Sequence, residues 1–326
     1  MKVLVAGGGG FIGGHLVKSL VTQGHDVRSV DVKPIDEWWQ VHEGVENVAD
    51  SNLMEYDQCD AAAKGVDRIY NLAADMGGMG FIENNKAACM LSVLISTHML
   101  QAAVKHDVER MFYASSACVY AAEHQTDPNV TALKEADAYP AMPEDGYGWE
   151  KLFSERMSRH FMEDYGIQTR VARYHNVYGP QGSWTGGREK APAALCRKVA
   201  EAKLTGKHVV DVWGDGHQTR SFMFVDDCVH GTQMLTESDV IDPINIGSSE
   251  LVSINQLIDI ISGIAGIEVE REHDLTAPQG VRGRNSDNEM IVEKLGWEPS
   301  TSLRDGLEVT YGWVFDQVQA AMAASR

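Results

Sequence analysis

The sequence predicts an α/β chain built on a doubly wound parallel sheet, with a smaller C-terminal portion interleaved with it. Three observations carry that expectation. Glycines stand between an apolar strand and an amphipathic helix at the start, strand-like runs alternate with helical ones up to about residue 175, and the texture beyond is loop-rich. Residues 2–6 alternate and are rich in Val and Leu, as a buried strand is. Gly7 to Gly13 follows, then 15–21 with apolar residues at helical spacing, and 27–31 reads as a second strand. A third strand-like stretch ends in Val48, Ala49 and Asp50, and further strands are expected at 68–72, 110–114 and 169–173. Past these, 178–187 is loop-like, with turn formers and two aromatics. Ser253 and Gln256 have capping-box spacing and introduce a helix through Leu257, after which 275–288 is again loop-like. The division expected is 1–175, with a return segment near 221–247, for dinucleotide binding, and 176–220 with 248–326 for substrate.

A chain of 326 residues, 44% hydrophobic, can bury a large core in one or two domains. No apolar run reaches about 18 residues, so no membrane span is expected. The N-terminus runs straight into the glycines without the parts of a signal peptide. Cys59, Cys89, Cys118, Cys196 and Cys228 are odd in number and scattered, which suits reduced thiols in a cytoplasmic protein. The twelve histidines show no metal-ligand spacing, and no metal is expected. A formal net charge of −19 argues against nucleic acid as a partner. Against that acidic background, Arg188, Lys190, Arg197 and Lys198, with Arg220, Arg282 and Arg284 further on, suit an anionic ligand.

The glycines have separate tasks. Gly7 permits a tight turn, Gly10 lets a pyrophosphate approach the backbone, and Gly13 lets helix pack on strand, with Phe11 and Ile12 completing the turn. The helix start then offers N–H groups and partial positive charge to phosphates. Strand before, helix after and Asp31 at the next strand's end together fit the Rossmann dinucleotide fingerprint. Asp31 would accept hydrogen bonds from the adenosine ribose and repel a 2′-phosphate, so NAD is expected rather than NADP. Asp50 is a candidate adenine contact, with a surface loop aspartate as the plain alternative.

Tyr147 and Lys151 are four residues apart and share one helix face. An ammonium beside a phenol lowers its pKa, making it a base for an alcohol whose hydride a nicotinamide accepts. Ser116 ends the preceding strand with Ser115 and belongs to the same set. Cys118, two residues on, has no use in plain redox chemistry and suggests removal of a carbon-bound proton; a small buried strand-end residue is its plain alternative.

The Gly7 to Gly13 turn, Asn71-Leu-Ala-Ala74, Ser115-Ser116, Tyr147 with Lys151, and Arg220 to Asp226 together resemble the extended short-chain dehydrogenase/reductase family, over essentially the whole chain. Within it, the stretches 73–81, 115–120, 186–194, 213–221 and 280–288 resemble the branch that inverts two carbons of GDP-mannose. The resemblance implies that Tyr147, helped by Lys151 and Ser116, takes the sugar C4 hydroxyl proton as NAD takes the hydride. The ketone acidifies the C3 and C5 hydrogens; Cys118 would remove them and Lys190 would reprotonate from the opposite face before the hydride returns. It further implies a pocket lined by Gly77, Ser116, Ala117, Cys118, Asn176, Glu189, Lys190, Ala191, Lys198, Gln218, Arg220, Arg282 and Arg284, with Arg220 and Arg284 suited to the diphosphate. Family habit implies a homodimer through helices near 86–104 and 148–165.

Two other sugar-nucleotide chemistries fit the scaffold. A 4-epimerase needs no carbon acid/base pair, and a 4,6-dehydratase wants an acidic pair where Ala117 and Cys118 stand. A non-catalytic NAD sensor would have no use for the Ser/Tyr/Lys set. The chain departs from the family at 89–98, where Ser92 or Leu91 replaces a frequent asparagine, leaving its polar role to water or unfilled. It also departs at 264–278, which leaves base recognition open.

Overall fold

The computed structural model describes residues 1–277 and 280–324. The chain opens with β1 (Lys2–Ala6), α1 (Phe11–Thr22), β2 (Asp26–Val30), β3 (Glu46–Val48), α2 (Tyr56–Ala63) and β4 (Arg68–Asn71). It continues through α3 (Met79–Asn84), α4 (Lys86–Leu91), α5 (Val93–Lys105), β5 (Arg110–Ser116), α6 (Tyr147–Tyr165) and β6 (Gln168–Tyr174). Then come β7 (Val177–Tyr178), α7 (Ala191–Thr205), β8 (Val209–Trp213), β9 (Thr219–Ser221), β10 (Met223–Phe224), α8 (Val225–Glu237) and β11 (Ile244–Ile246). The last elements are β12 (Leu251–Ser253), α9 (Ile254–Ala265), β13 (Glu270–Asp274), β14 (Gly283–Arg284), α10 (Glu289–Leu295) and α11 (Leu303–Ala324).

Seven strands form one sheet in the order β11-β6-β5-β4-β1-β2-β3, parallel throughout. Strand order reverses between β1 and β4, so the crevice at their carboxyl ends is where an open α/β sheet binds its ligand. The strands are apolar on both faces because helices cover both. On one face Leu4, Ile69 and Met111 pack with Met99 and Leu100 of α5, and on the other Val3, Val5 and Phe112 pack with Leu16 and Val229. The second cluster runs on without a break to Leu257 of α9 and Val314 of α11, so the C-terminal portion shares its core with the sheet. β11 returns the chain to the sheet edge beside β6.

Local chemistry sets the element ends. In α9, Ser253 Oγ accepts the Gln256 N–H at 3.1 Å while Gln256 Oε1 accepts the Ser253 N–H at 2.8 Å, and Gly266, at φ +69°, closes the helix. β5 runs to Ser116, two residues past the expected end, because β6 pairs with it as far as Ser116 opposite Tyr174. The helix expected at 89–98 is two, α4 and α5, meeting at Ser92, whose N–H bonds the Cys89 carbonyl in a tightened turn. The stretch Lys86–Lys105 is long and apolar enough, by composition, to cross a membrane, which corrects the reading that no run reaches that length. Here it packs on α2 and α6 and buries Ile95, Met99 and Leu100.

Candidate active site

The dinucleotide turn is made almost wholly of backbone. Gly7, at φ +84°, donates its N–H to the Val30 carbonyl at 2.8 Å, and a Cβ there would meet Ala73 N at 3.0 Å across the β1–β4 reversal. A Cβ on Gly13 would overlap the Gly7 carbonyl, so α1 can lie this close to the turn only with glycine there. α1 begins at Gly10 with no side-chain cap, leaving its first N–H groups directed at the crevice. Phe11 and Ile12 pack on the core below. Asp31 follows β2, buried, its Oδ1 accepting the Lys33 N–H at 3.1 Å. Asp50 lies past β3, exposed, in the left-handed region at φ +54°. Uncapped helix, glycine cradle and buried carboxylate fit a dinucleotide. Trp38 was not foreseen: its ring lies where a Cβ on Gly9 would come within 2.5 Å, and its indole N–H donates to the Lys33 carbonyl at 3.0 Å.

Tyr147 and Lys151 open α6, both buried. Lys151 Nζ lies 5.4 Å from the Tyr147 ring centroid and 4.9 Å from that of Tyr113, and 3.5 Å from Glu150 Oε2. Glu150 is itself buried, its Oε1 accepting from the Tyr113 hydroxyl at 3.1 Å and from Ser154 at 3.0 Å. Glu150 and Tyr113 therefore hold the lysine from behind, a role no spacing rule announces. The Tyr147 phenol is pushed well above its ordinary pKa by burial and then by the Cys118 and Glu150 charges, while a hydrogen bond with Ser116 pulls it down. The direction differs from the expected lysine-lowered phenol, because burial is the largest influence on it.

Cys118 lies in a 3₁₀ turn, Ala117–Val119, its N–H donating to Ser116 Oγ at 3.2 Å. α6 packs on this turn so closely that a Cβ on Gly148 would collide with the Cys118 carbonyl. Arg284 Nη1 lies 3.7 Å from Cys118 Sγ, its Nε donates to Gln125 Oε1 at 2.6 Å, and its Nη2 pairs with Glu144. Arg284, expected on a diphosphate, is thus committed to Gln125, Glu144 and the thiol. Lys190, half-buried at the N-terminus of α7, has its pKa lowered by burial, and the first charge to oppose that is Cys118. Desolvation lowers the pKa of the half-buried Arg220 guanidinium to about 10, and here too the first charge to oppose the shift is Cys118. Its Nη1 and Nη2 donate to the Thr219 and Val281 carbonyls, each at 2.7 Å. Four distant segments therefore bring Tyr147, Lys190, Arg220 and Arg284 around one thiol.

The remaining expected residues divide. Asn176, at φ +41°, donates to the Ser221 carbonyl at 3.0 Å. Gln218 is buried and donates to the Trp213 carbonyl at 2.9 Å, while its Oε1 makes no hydrogen bond among the described residues. Gly77 abuts Phe81, Ala191 follows Lys190 in α7, and Glu189 Oε2 accepts the Gly187 N–H at 2.6 Å. Two of the basic residues pair with carboxylates in the fold: Lys198 bonds Asp211 at 2.7 Å and Arg282 pairs with Asp215 at 3.0 Å. Ser92, one of the two residues expected at the family asparagine's place, accepts the Asp75 N–H with its hydroxyl at 2.9 Å. Beneath the site, Arg173 and Glu155 form a buried pair at 2.8 Å, with Ser115 donating to Glu155 at 2.5 Å.

The sequence pattern of the NAD dependent epimerase/dehydratase family matches residues 3–247. The chain is 47% identical over 323 residues to GDP-mannose 3,5-epimerase 1 of Oryza sativa subsp. japonica, covering 98% of this chain and 83% of that enzyme. It is 44% identical over 325 residues to GDP-mannose 3,5-epimerase of Arabidopsis thaliana, covering 99% and 84%. Among solved structures, a UDP-glucose 4-epimerase of Thermotoga maritima with UDP-glucose superposes with a TM-score of 0.86 at 25% identity, over 98% of this chain and 100% of that one.

Proposed function

The chain belongs to the NAD dependent epimerase/dehydratase family, and from that premise we propose that it inverts C3 and C5 of GDP-mannose, yielding GDP-L-galactose, GDP-L-gulose or both. The observation that carries this reading is Cys118, with its N–H on Ser116 Oγ at 3.2 Å and Arg284 at 3.7 Å from its thiol, in the hydrophobic cluster that holds Tyr147, with Lys190 near enough to feel its charge. The relatives at 44% and 47% identity over 98–99% of the chain are GDP-mannose 3,5-epimerases.

Bound NAD supplies a reversible hydride acceptor at sugar C4, held by the Gly7 to Gly13 turn and Asp31. Tyr147 takes the C4 hydroxyl proton as its phenolate, the form that the Ser116 hydrogen bond favours, with the Lys151 ammonium 5.4 Å from its ring lending positive charge. The ketone makes the C3 and C5 hydrogens acidic. Cys118 removes such a proton as its thiolate, in a pocket with the guanidinium of Arg284 at 3.7 Å and the charge of Arg220 nearby. Lys190 delivers a proton from the other face. Its lowered pKa makes its ammonium a stronger acid than an ordinary lysine's. Gln218, Asn176, Glu189, Arg220 and Arg282 bind the sugar nucleotide.

Residues 1–175 with about 221–247 hold the cofactor, and 176–220 with 248–326 hold the substrate. The working state is a homodimer. Met90, Leu91 and Leu94 on α4 and α5 and Trp149 and Phe153 on α6 are exposed on helices that touch each other, and a second copy's α4 to α6 would bury them in a four-helix packing. Sedimentation finding only monomer would overturn that. Five free buried cysteines suit the reducing cytoplasm, and a net charge of −19 argues against nucleic acid as a partner. Incubation with GDP-mannose in heavy water tests the reaction: deuterium at C3 and C5 of inverted products is expected. Turnover without carbon-bound deuterium points to a 4-epimerase instead.

A further inference from the structure

Two loops far apart in sequence meet beside the Cys118 pocket. One runs through 75–82 into α3; the other, 186–190, carries Lys190 into α7. Arg188 joins them. Its Nη1 lies 2.7 Å from Asp75 Oδ1 and donates to the Met76 carbonyl at 3.1 Å, and its guanidinium carbon stands 3.8 Å from the Phe81 ring centroid. The backbones are tied as well. The Gly78 N–H donates to the Arg188 carbonyl at 3.0 Å, and a Cβ on Gly78 would reach within 2.5 Å of the Glu189 carbonyl oxygen.

The first loop is anchored to the site. Ser92 holds the Asp75 N–H, and Met76 and Phe81 pack on the cluster that contains Cys118 and Tyr147. The second loop is held to α7 through Glu189, which accepts the Gly187 N–H at 2.6 Å and pairs with Arg197 at 3.5 Å. Gly186 and Gly187 take left-handed conformations, at φ +91° and +87°, with nothing within 4 Å of where a side chain would be. An exposed Asp–Arg pair alone holds weakly, but here a carbonyl, an aromatic face and a backbone bond act with it.

We propose that Asp75, Phe81 and Arg188 form a latch that sets Lys190 opposite Cys118, making Arg188 a positioning residue for reprotonation. The inference rests on the reading that Cys118 and Lys190 exchange carbon-bound protons. In that exchange a C–H bond beside the ketone breaks as the Cys118 S–H forms. The electron pair left on the enolate then takes a proton from the Lys190 ammonium, breaking N–H and forming C–H on the opposite face. Thiolate and ammonium become thiol and amine, so charge balances. With Lys190 displaced, the proton returns from Cys118 to its own face: hydrogen exchanges with solvent, but the carbon is not inverted.

The test follows Arg188→Ala, Arg188→Lys and Asp75→Asn with GDP-mannose in heavy water, comparing deuterium in recovered substrate with that in inverted products by NMR. For Arg188→Ala, inversion falls about tenfold or more, as a modest misplacement of a reacting group does. Deuterium in recovered GDP-mannose falls less, so the ratio of exchange to inversion rises; Arg188→Lys, which keeps charge without the planar stack, lies between. NAD content and melting temperature stay at wild-type values. An unchanged ratio overturns the positioning role. Hydrogen exchange on the ligand-free protein reads the latch directly: Arg188→Ala speeds exchange in 75–82 and 186–190 together, and unchanged exchange in both overturns it whatever the activity. If the wild-type protein places no deuterium in any product, the functional reading fails and the positioning role falls with it, while loop exchange still decides whether the latch exists.

Discussion

The two sides of the crevice are built by different means. The side suited to a dinucleotide is a single short segment, Gly7 to Gly13, made of backbone and an uncapped helix start, with Asp31 from the next strand. The substrate side is made of side chains from segments that meet only in the fold: Cys118 on a turn after β5, Lys190 at the head of α7, Arg220 in β9 and Arg284 in β14. Backbone sites need glycines at fixed spacing and tolerate little bulk. Side-chain sites need long-range packing and buried charge, so they are held by networks such as Arg284 with Gln125 and Glu144, and Arg173 with Glu155. The contrast teaches that the shared half of such an enzyme can stay local while its particular chemistry is assembled at a distance.

The sharpest way to separate the two sides is Cys118→Ala. Inversion should fall about 10³-fold, within the range for a positioned acid or base, with NAD affinity unchanged in a fluorescence titration. Inversion retained at near wild-type rate would remove the thiol from the mechanism. Next in size, Arg173→Met leaves Glu155 buried without its cation and should cost about 3–5 kcal/mol in urea unfolding. A loss under about 1 kcal/mol would mean that the network does not support the substrate side.

Gly13→Ala attacks the cofactor side. The new methyl must displace the Gly7 carbonyl, and about 1–3 kcal/mol of overpacking should appear as weaker NAD binding by calorimetry. An unchanged NAD Kd breaks the claim that close backbone packing makes that site.

The pH dependence of Lys190 comes next. Because burial lowers its pKa from 10.5, the ammonium is lost below the ordinary lysine range. Inversion should then decline about tenfold per pH unit on an alkaline limb below that value; a limb at the ordinary value contradicts a buried donor. The stability sign is opposite to that of a paired lysine. The unfolded chain binds more protons between the lowered pKa and 10.5, so this group's destabilising effect is full below that window and is relieved as pH rises through it. Smallest is Ser253→Ala, far from both sides, which should cost about 1 kcal/mol through the lost cap and leave kcat alone; a change in kcat would tie α9 to the site.

Much of this was legible in the chain. The strand, glycine turn and helix at the start, and the capping box at Ser253, are set by neighbours in sequence and appear where spacing puts them. Tyr147 with Lys151 is a helical repeat and needs no fold to be seen. What spacing could not show depends on the third dimension: Trp38 against Gly9, Glu150 and Tyr113 behind Lys151, and Arg188 clasping Asp75. Lys198 and Arg282 stand out because a basic residue in an acidic chain is conspicuous, but the carboxylates they pair with, Asp211 and Asp215, are not assigned by spacing.

The sequence by itself determined the strands of the sheet, the glycine turn and the Tyr147–Lys151 pair, because each is written in residues within a helical turn or a strand of one another. Only the tertiary structure decided which charges surround Cys118 and which are spent on ion pairs. Burial and electrostatic pairing act through space, and residues as far apart as 118 and 284 become neighbours only when β14 pairs with β9.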